Sequence, residues 1–356
     1  MSDSIDLEVS LSHKSLRTYT LQELAKYVGG QVAGDPQVEV NGVQSFEAAS
    51  SGDLTLAAES GYYEQLEKTQ AEAVVVPRDI HSTDKSLLQV DQPKVAFARI
   101  VELLHTVPFE AKGISPLASV DDSCQIAEKV TIYPFAYVGK RVKISEGVTL
   151  FPGVCIGSDC VIGKGCSLYS NVTLYDNVSL GDRVILHSGT VIGSDGFGYV
   201  CDGKEQVKIL QTGTVKIGDD VEIGANSCVD RATFGSTILD KGVKLDNHVH
   251  IGHNCRIGEN TVVVAQVGIS GSVEIGNNCV FAGHSGVVDH VKIGNEVKVM
   301  MKSAVSKDVP SYSIISGQPA MDHRKSMKIE SLVRNLPRLY EEWKDFKSTL
   351  KNKTEK

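Results

Sequence analysis

The 356-residue sequence predicts a mainly β fold: a parallel β-helix of six-residue repeats, preceded by an α/β domain and followed by an α-helical segment. Three observations carry that prediction. Aliphatic residues recur every six positions through most of the chain, the residues before the repeat follow another pattern, and an apolar stripe at helical spacing follows it. The expected domains are residues 1–108, an α/β unit; 109–308, the β-helix, with a loop insertion near 193–215; and 309–356, a C-terminal helical segment.

In the first domain, Thr20 of TLQELAKYVGG stands where a helix cap belongs, and Gly29 and Gly30 stop that helix. QVAGDPQVEVNGVQSF alternates as strands around turns, AEAVVVP reads as a buried strand, and KVAFARIVELLH reads as a helix. The junction TVPFEAKGISPLAS, with Pro108, Gly113 and Pro116, reads as a linker.

The repeat then begins. Steps of six from Val120 reach Ile126, Ile132, Val138, Ile144, Leu150, Ile156, Ile162, Leu168, Leu174, Leu180, Leu186 and Ile192. After a break the series resumes at Ile217, Ile223 and Val229, slips by four through TFGSTIL, and runs from Leu239 to Val305. Only a structural period explains so long a run. Each short strand would pair with those above and below at about 4.8 Å, and the aliphatics would stack into one core.

Many of these aliphatics are followed by a glycine, read as turn-permitting. Cys124, Cys160, Cys166, Cys255 and Cys279 each stand two before an aliphatic and read as small corner residues. Eight cysteines without a secretory signal do not make a disulfide framework, and the Cys160 to Cys166 spacing is wrong for a zinc knuckle.

Beyond the repeat, MKIESLVRNLPRLYEEWKDFKSTLKNKTEK reads as helical. Leu339, Trp343, Phe346 and Leu350 fall on one face, read as a trimer or domain packing face rather than a membrane-binding one, because acids are mixed among the bases. The net charge of −8 gives no global footprint for nucleic acid. MSDSIDLEVSLSHKSLRTYT has no apolar signal region and no run approaches a membrane span, so the expectation is a cytoplasmic protein.

The inward aliphatic, glycine and small residue of each hexad resemble the repeat of the left-handed parallel β-helix, whose coils use three hexads. The left hand comes from that resemblance, since the usual crossover rule gives the opposite. Such helices carry acyltransferases, nucleotidyltransferase appendages and zinc carbonic anhydrases, so the fold leaves the activity open.

Four features narrow it: the N-terminal α/β domain, GSDGFGYV at 193–200, VEIGANSCVDRATF at 221–234 and LDNHVHIGHN at 245–254. Together they resemble the UDP-3-O-(3-hydroxyacyl)glucosamine N-acyltransferase family of lipid A biosynthesis. The resemblance implies transfer of a 3-hydroxyacyl group from the phosphopantetheine of acyl carrier protein to the 2-amine of the UDP-sugar. It also implies a homotrimer with active sites between neighbouring helices, no tightly bound cofactor and no metal.

The same resemblance assigns roles. His253 is the implied general base, and an imidazole with an ordinary pKa near 6.5 suits removal of an amine proton near neutral pH. Gly271, 18 residues on, stacks one coil above His253, and its N–H is the implied oxyanion donor. His290 lies two coils and one residue beyond His253, as a second histidine for substrate phosphate or catalysis. Asp246 and Asn247 correspond to positions that touch the sugar nucleotide or orient the base.

Leu56 and Tyr62 match a pair that sandwiches uracil. Leu56 replaces the first aromatic, so either it packs on the base itself or Phe46 or Tyr63 substitutes. Lys302, Lys307 and Arg324, with Lys325 and Lys328, are the basic groups expected to meet the acidic carrier protein.

His248 and His250 have no implied role and read as surface groups. The three histidines of NHVHIGHN are expected to point along different edges of the coil, which argues against zinc. Two alternatives stay open. One is the related carrier-protein-dependent O-acyltransferase acting on UDP-N-acetylglucosamine, which lacks the N-terminal domain. The other is a non-catalytic trimeric β-helix scaffold, which gives no reason for a glycine one coil from a histidine.

Overall fold

The computed structural model describes residues 14–81, 85–106, 109–317 and 322–354. The chain divides into two compact units, Met1–Phe109 and Glu110–Lys356. The N-terminal stretch read above as lacking a signal lies largely outside the described residues, as do Val107 and Pro108 of the junction.

The first unit is built on a six-stranded sheet in the order Lys14–Thr20, Glu39–Val43, Asp53–Leu56, Ala73–Pro77, Ser86–Val90, Gln31–Ala33. Thr20 caps helix Leu21–Val28 as its sequence predicts. Its hydroxyl accepts from Glu23 N–H at 3.2 Å, and the Glu23 carboxylate accepts from Thr20 N–H at 2.9 Å. Gly29, at φ 71°, ends the helix in the left-handed conformation that glycine tolerates. Strand Ala73–Pro77 is apolar on both faces because each side of the sheet carries its own core. Leu54, Ala73 and Val75 join the cores of helices Leu21–Val28 and Pro93–His105, whereas Val74, Val76 and Leu87 pack with Phe46 and Leu66.

The second unit is a parallel β-solenoid. Its strands, mostly two residues long, stack into three sheets of 11, 10 and 9 strands. Equivalent residues lie 18 apart, as in Arg141 beside Asp159, so every third hexad returns to the same sheet. The aliphatics of the six-residue series from Ile132 to Val305, with Val130 and Val309 at the two ends, form one continuous core. Burying a Leu or Ile side chain in such a core stabilises by about 1.5–3 kcal/mol.

Three details depart from the sequence reading. Cys160, Cys166, Cys255 and Cys279 do follow the corner turns, but they are core residues as well, fully buried inside the coil. Each Sγ donates to a backbone carbonyl of the next coil, as from Cys160 to Tyr175 O at 3.1 Å and from Cys255 to Ser270 O at 3.0 Å. Burial pushes the Cys160 and Cys255 thiols up to about 11.

Apart from Gly193, at φ 89°, the glycines that follow the aliphatics serve close approach and not turn dihedrals. A Cβ on Gly163 would stand 2.3 Å from Gly181 O. The left-handed residue comes two positions later and is usually Asn, Asp or His, including His248, Asn254, His284 and His290.

Finally, pairing continues past residue 308. Val309 bridges to Ile293, and Ile314–Ile315 pairs with Lys298–Val299. The last coil has 16 residues in place of 18, which takes it out of the six-residue count.

One coil is longer than the rest. Ser179 pairs with Lys216, and Arg183 meets Asp220 across 37 residues, because a hairpin of Tyr199–Cys201 and Gln206–Lys208 interrupts the stack. The C-terminal helix spans His323–Thr354 with Pro337 inside it. Leu339, Trp343 and Phe346 are exposed on it, and the side chain of Leu350 lies outside those described. No helix among the described residues is long and apolar enough to cross a membrane.

Candidate active site

His253 stands at a turn two residues after the inward Ile251, and Gly271 fills the same slot one coil above. Ser272 N–H donates to His253 O at 2.8 Å, which locks the two turns together. The imidazole lies directly over the glycine. A Cβ built on Gly271 would stand 2.6 Å from His253 Nε2, so only glycine leaves the ring in place.

The far side of the ring is anchored. Nδ1 lies 3.1 Å from Asn254 Oδ1, which also accepts from Thr233 N–H at 2.9 Å. Asn254 Nδ2 donates to Phe234 O at 2.9 Å, and its backbone N–H donates to Thr237 Oγ1. With its oxygen fixed as acceptor, Asn254 selects the tautomer with hydrogen on Nδ1 and leaves the Nε2 lone pair facing the cleft. The four-residue slip at TFGSTIL supplies these partners, since it forms the turn carrying Thr233 and Phe234.

The hairpin insertion closes the site. A Cβ on Gly196 would meet His253 Cβ at 2.5 Å, which accounts for the first glycine of GFGY. Together these elements line a cleft of about 620 Å³ with Phe197, Asp230, His250, His253, Gly271 and His290 prominent in its wall. His290 N–H donates to Gly271 O at 3.1 Å, which places His290 on the same edge one coil higher.

His250 is a correction to the sequence reading. It and His253 line the same cleft and do not point along different edges; only His248 stands apart from it. A two-residue strand followed at once by a turn keeps positions 250 and 253 on one side of the corner. Among the described residues no group of three or more His, Cys, Asp or Glu is arranged to hold a metal ion.

Above His250, the outward positions of the same sheet are Gly268, Gly286 and Ala304, all lining the cleft. A Cβ on Gly268 would meet nothing within 4 Å, and one on Gly286 only Gly268 O at 3.8 Å. Neither glycine is required by backbone or packing, so the absent side chains leave an open track leading from His253 to Ala304.

Asp246 and Asn247 do not join this cleft within one chain. They line a second depression at another corner, with His187, Glu222 and Lys244. Both also brace turns: Asn247 Oδ1 accepts from Ala225 N–H at 2.7 Å and Asp246 Oδ2 from Ala265 N–H at 3.1 Å. Lys302 and Lys307 are exposed on either side of strand Ala304–Val305 at the upper end of the track, and Arg324 is exposed at the start of the C-terminal helix.

In the N-terminal unit Leu56 packs with the Leu54 cluster. Tyr62 packs on the other one, 4.9 Å from Phe46. Phe46 is itself buried beneath Tyr62, so it is not a free stacking face.

Sequence reasoning missed Asp230, Asn254 and Gly196. Asp230 left a trace, since it follows an inward Val229 where Ile156, Ile162, Ile251 and others are followed by glycine.

A parallel solenoid of hexads, with an imidazole packed against a glycine of the next coil beside an open apolar track, fits an acyltransferase of the hexapeptide-repeat class. Residues 159–194 match the family model for bacterial transferase hexapeptide, and 214–247 and 248–283 match that for the hexapeptide repeat of succinyl-transferase. Residues 37–103 match the model for UDP-3-O-(3-hydroxymyristoyl) glucosamine N-acyltransferase, LpxD.

A UDP-3-O-acylglucosamine N-acyltransferase from Syntrophus aciditrophicus is 49% identical over 89% of this chain and 88% of its own. One from Syntrophotalea carbinolica is 51% identical over 89% and 93%. The chain belongs to the UDP-3-O-acylglucosamine N-acyltransferase family. A solved UDP-N-acetylglucosamine acyltransferase from Arabidopsis, 24% identical over 57% of this chain and 71% of its own with a TM-score of 0.51, shares the fold.

Proposed function

We propose that this enzyme transfers a 3-hydroxyacyl group from acyl carrier protein to the 2-amine of UDP-3-O-(3-hydroxyacyl)glucosamine, a step of lipid A biosynthesis. The observation that carries the mechanism is His253 Nε2 packed against Gly271, one coil up, in the wall of the cleft. The amine nitrogen attacks the thioester carbonyl, its proton passes to Nε2, and the Gly271 N–H donates to the oxyanion. Collapse breaks the C–S bond, and the departing thiolate takes the proton back from Nε2. Neither cofactor nor metal enters these steps; the phosphopantetheine belongs to the donor.

His290 binds substrate on the same edge. The open track beside Gly268, Gly286 and Ala304 takes the acyl chain. Lys302, Lys307 and Arg324 supply positive charge for the acidic carrier protein. Tyr62 contributes to uridine binding as the aromatic platform; Leu56, packed on the opposite side of the sheet, is not its partner. Asp246 and Asn247 reach substrate from a neighbouring copy in a homotrimer, a reading supported by their place at another corner of the coil. The enzyme works in the cytoplasm, where its carrier-protein donor is made.

The deciding measurement is acyl transfer to the UDP-sugar by purified His253→Ala enzyme. Loss of about 10³-fold in kcat/KM is expected. A wild-type rate in a folded variant sinks the assignment, and O-acylation of UDP-N-acetylglucosamine by the wild type would favour the related O-acyltransferase.

A further inference from the structure

Asp230 is the one carboxylate in the cleft that is almost completely buried, at 7% exposure. It ends strand Cys228–Asp230. Because Cys228 pairs with His250 and Val229 with Ile251, it lies one coil beneath the turn that carries His253. Ser194 Oγ donates to Asp230 Oδ1 at 2.9 Å, and His250 Nε2 lies 3.5 Å from Oδ2.

The surrounding charges are few. From the hairpin side Asp195 faces it, itself occupied by Lys208 and, at 4.0 Å, Arg231. Cys228 stands on its own strand, Cys255 lies one coil up, and Asp289 and His290 stand exposed at the cleft rim. Burial pushes the Asp230 carboxyl up, while Ser194, His250 and His253 pull it back. A carboxylate so poorly solvated gains strongly from any positive charge formed beside it.

We propose that Asp230 and His250 form a charge-balancing pair beneath the catalytic centre: the buried carboxylate stabilises the imidazolium formed on His253, and His250 tempers its field. Asp230 is thus a positioning residue acting through His253, and the inference rests on His253 being the base. The proton that moves from the amine to Nε2 creates a cation, and the buried anion one coil below offsets it.

The test is the pH profile of kcat/KM for Asp230→Asn and His250→Ala, with melting temperatures to confirm folding. Asp230→Asn should lower kcat/KM about 10- to 100-fold and leave KM for the UDP-sugar within about twofold. Its acidic limb should move to lower pH by about one unit, since the imidazolium forms less readily without the anion.

His250→Ala should move the limb the opposite way, because the carboxylate then loses its contact with the His250 ring and has His253 as its remaining imidazole neighbour. Opposite displacements are a signature that loss of structure does not produce. Limbs that stay at the wild-type position, or move together, overturn the inference. Transfer that survives His253→Ala overturns instead the assignment on which it rests.

Discussion

The coils below the hairpin and those above it share one core, and both carry ion pairs from coil to coil, as in Lys292 with Glu274 above. They differ on the outer surface of the sheet that forms the cleft wall. Below, side chains pair from coil to coil. Tyr133, Phe151, Tyr169 and His187 stack along one corner with ring centroids 5.4, 4.7 and 5.2 Å apart. Arg141 reaches Asp159 and Lys164 reaches Glu146 on the coils next to them. On the sheet that becomes the cleft wall, the lower outward positions are Tyr137, Cys155 and Thr173, whereas the upper ones are His250, Gly268, Gly286 and Ala304. Architecture is thus held mainly by the inward residues. The outer surface is free either to satisfy itself or to leave groups and space for a substrate.

That contrast can be broken most sharply at Gly271. Gly271→Ala would displace the His253 ring, and a loss of about 10²-fold in kcat is expected with little change in melting temperature. Unaltered kcat would mean that the stacking of ring on glycine is incidental.

Asn254→Ala comes next. It frees the ring tautomer and removes three side-chain hydrogen bonds to the neighbouring turn, to His253 Nδ1, Thr233 N–H and Phe234 O. A kcat lower by about tenfold and a reduced melting temperature are expected, the first read from initial rates and the second by calorimetry.

Gly286→Leu tests the open track. Its side chain enters free space, so folding should be normal, while transfer from long acyl donors falls about tenfold relative to short ones in a competition assay. Equal losses for all donors would place the acyl chain elsewhere.

Arg141→Ala, in the lower coils, should have the smallest effect. The pair with Asp159 is exposed, so stability should fall by about 1 kcal/mol or less in urea denaturation, with activity unchanged.

The legible part of the molecule was the part governed by period. Six-residue spacing located the core from Val120 to Val305, and the same arithmetic put Gly271 over His253 and His290 on its edge. The miscounted part was the top coil, because a shortened turn takes Val309 and Ile315 out of step.

The site was less legible where it depends on which side of a corner a residue falls. His250 looked like surface because its position is outward, and outward on this sheet is the cleft. Asn254 looked like an ordinary turn residue, and it is one, at φ 60°. Its second task, holding the ring, depends on a turn 21 residues earlier in the chain.

The hairpin insertion has a consequence for how such chains can change. The strands on either side of it stack in register, with Leu180 against Ile217, as though the added residues were absent. A corner of the coil therefore works as a splice point, where a segment can be lengthened, exchanged or deleted while the stack closes around the gap. New chemistry can be grafted there at the cost of one loop, and the hexads need never be rewritten to receive it.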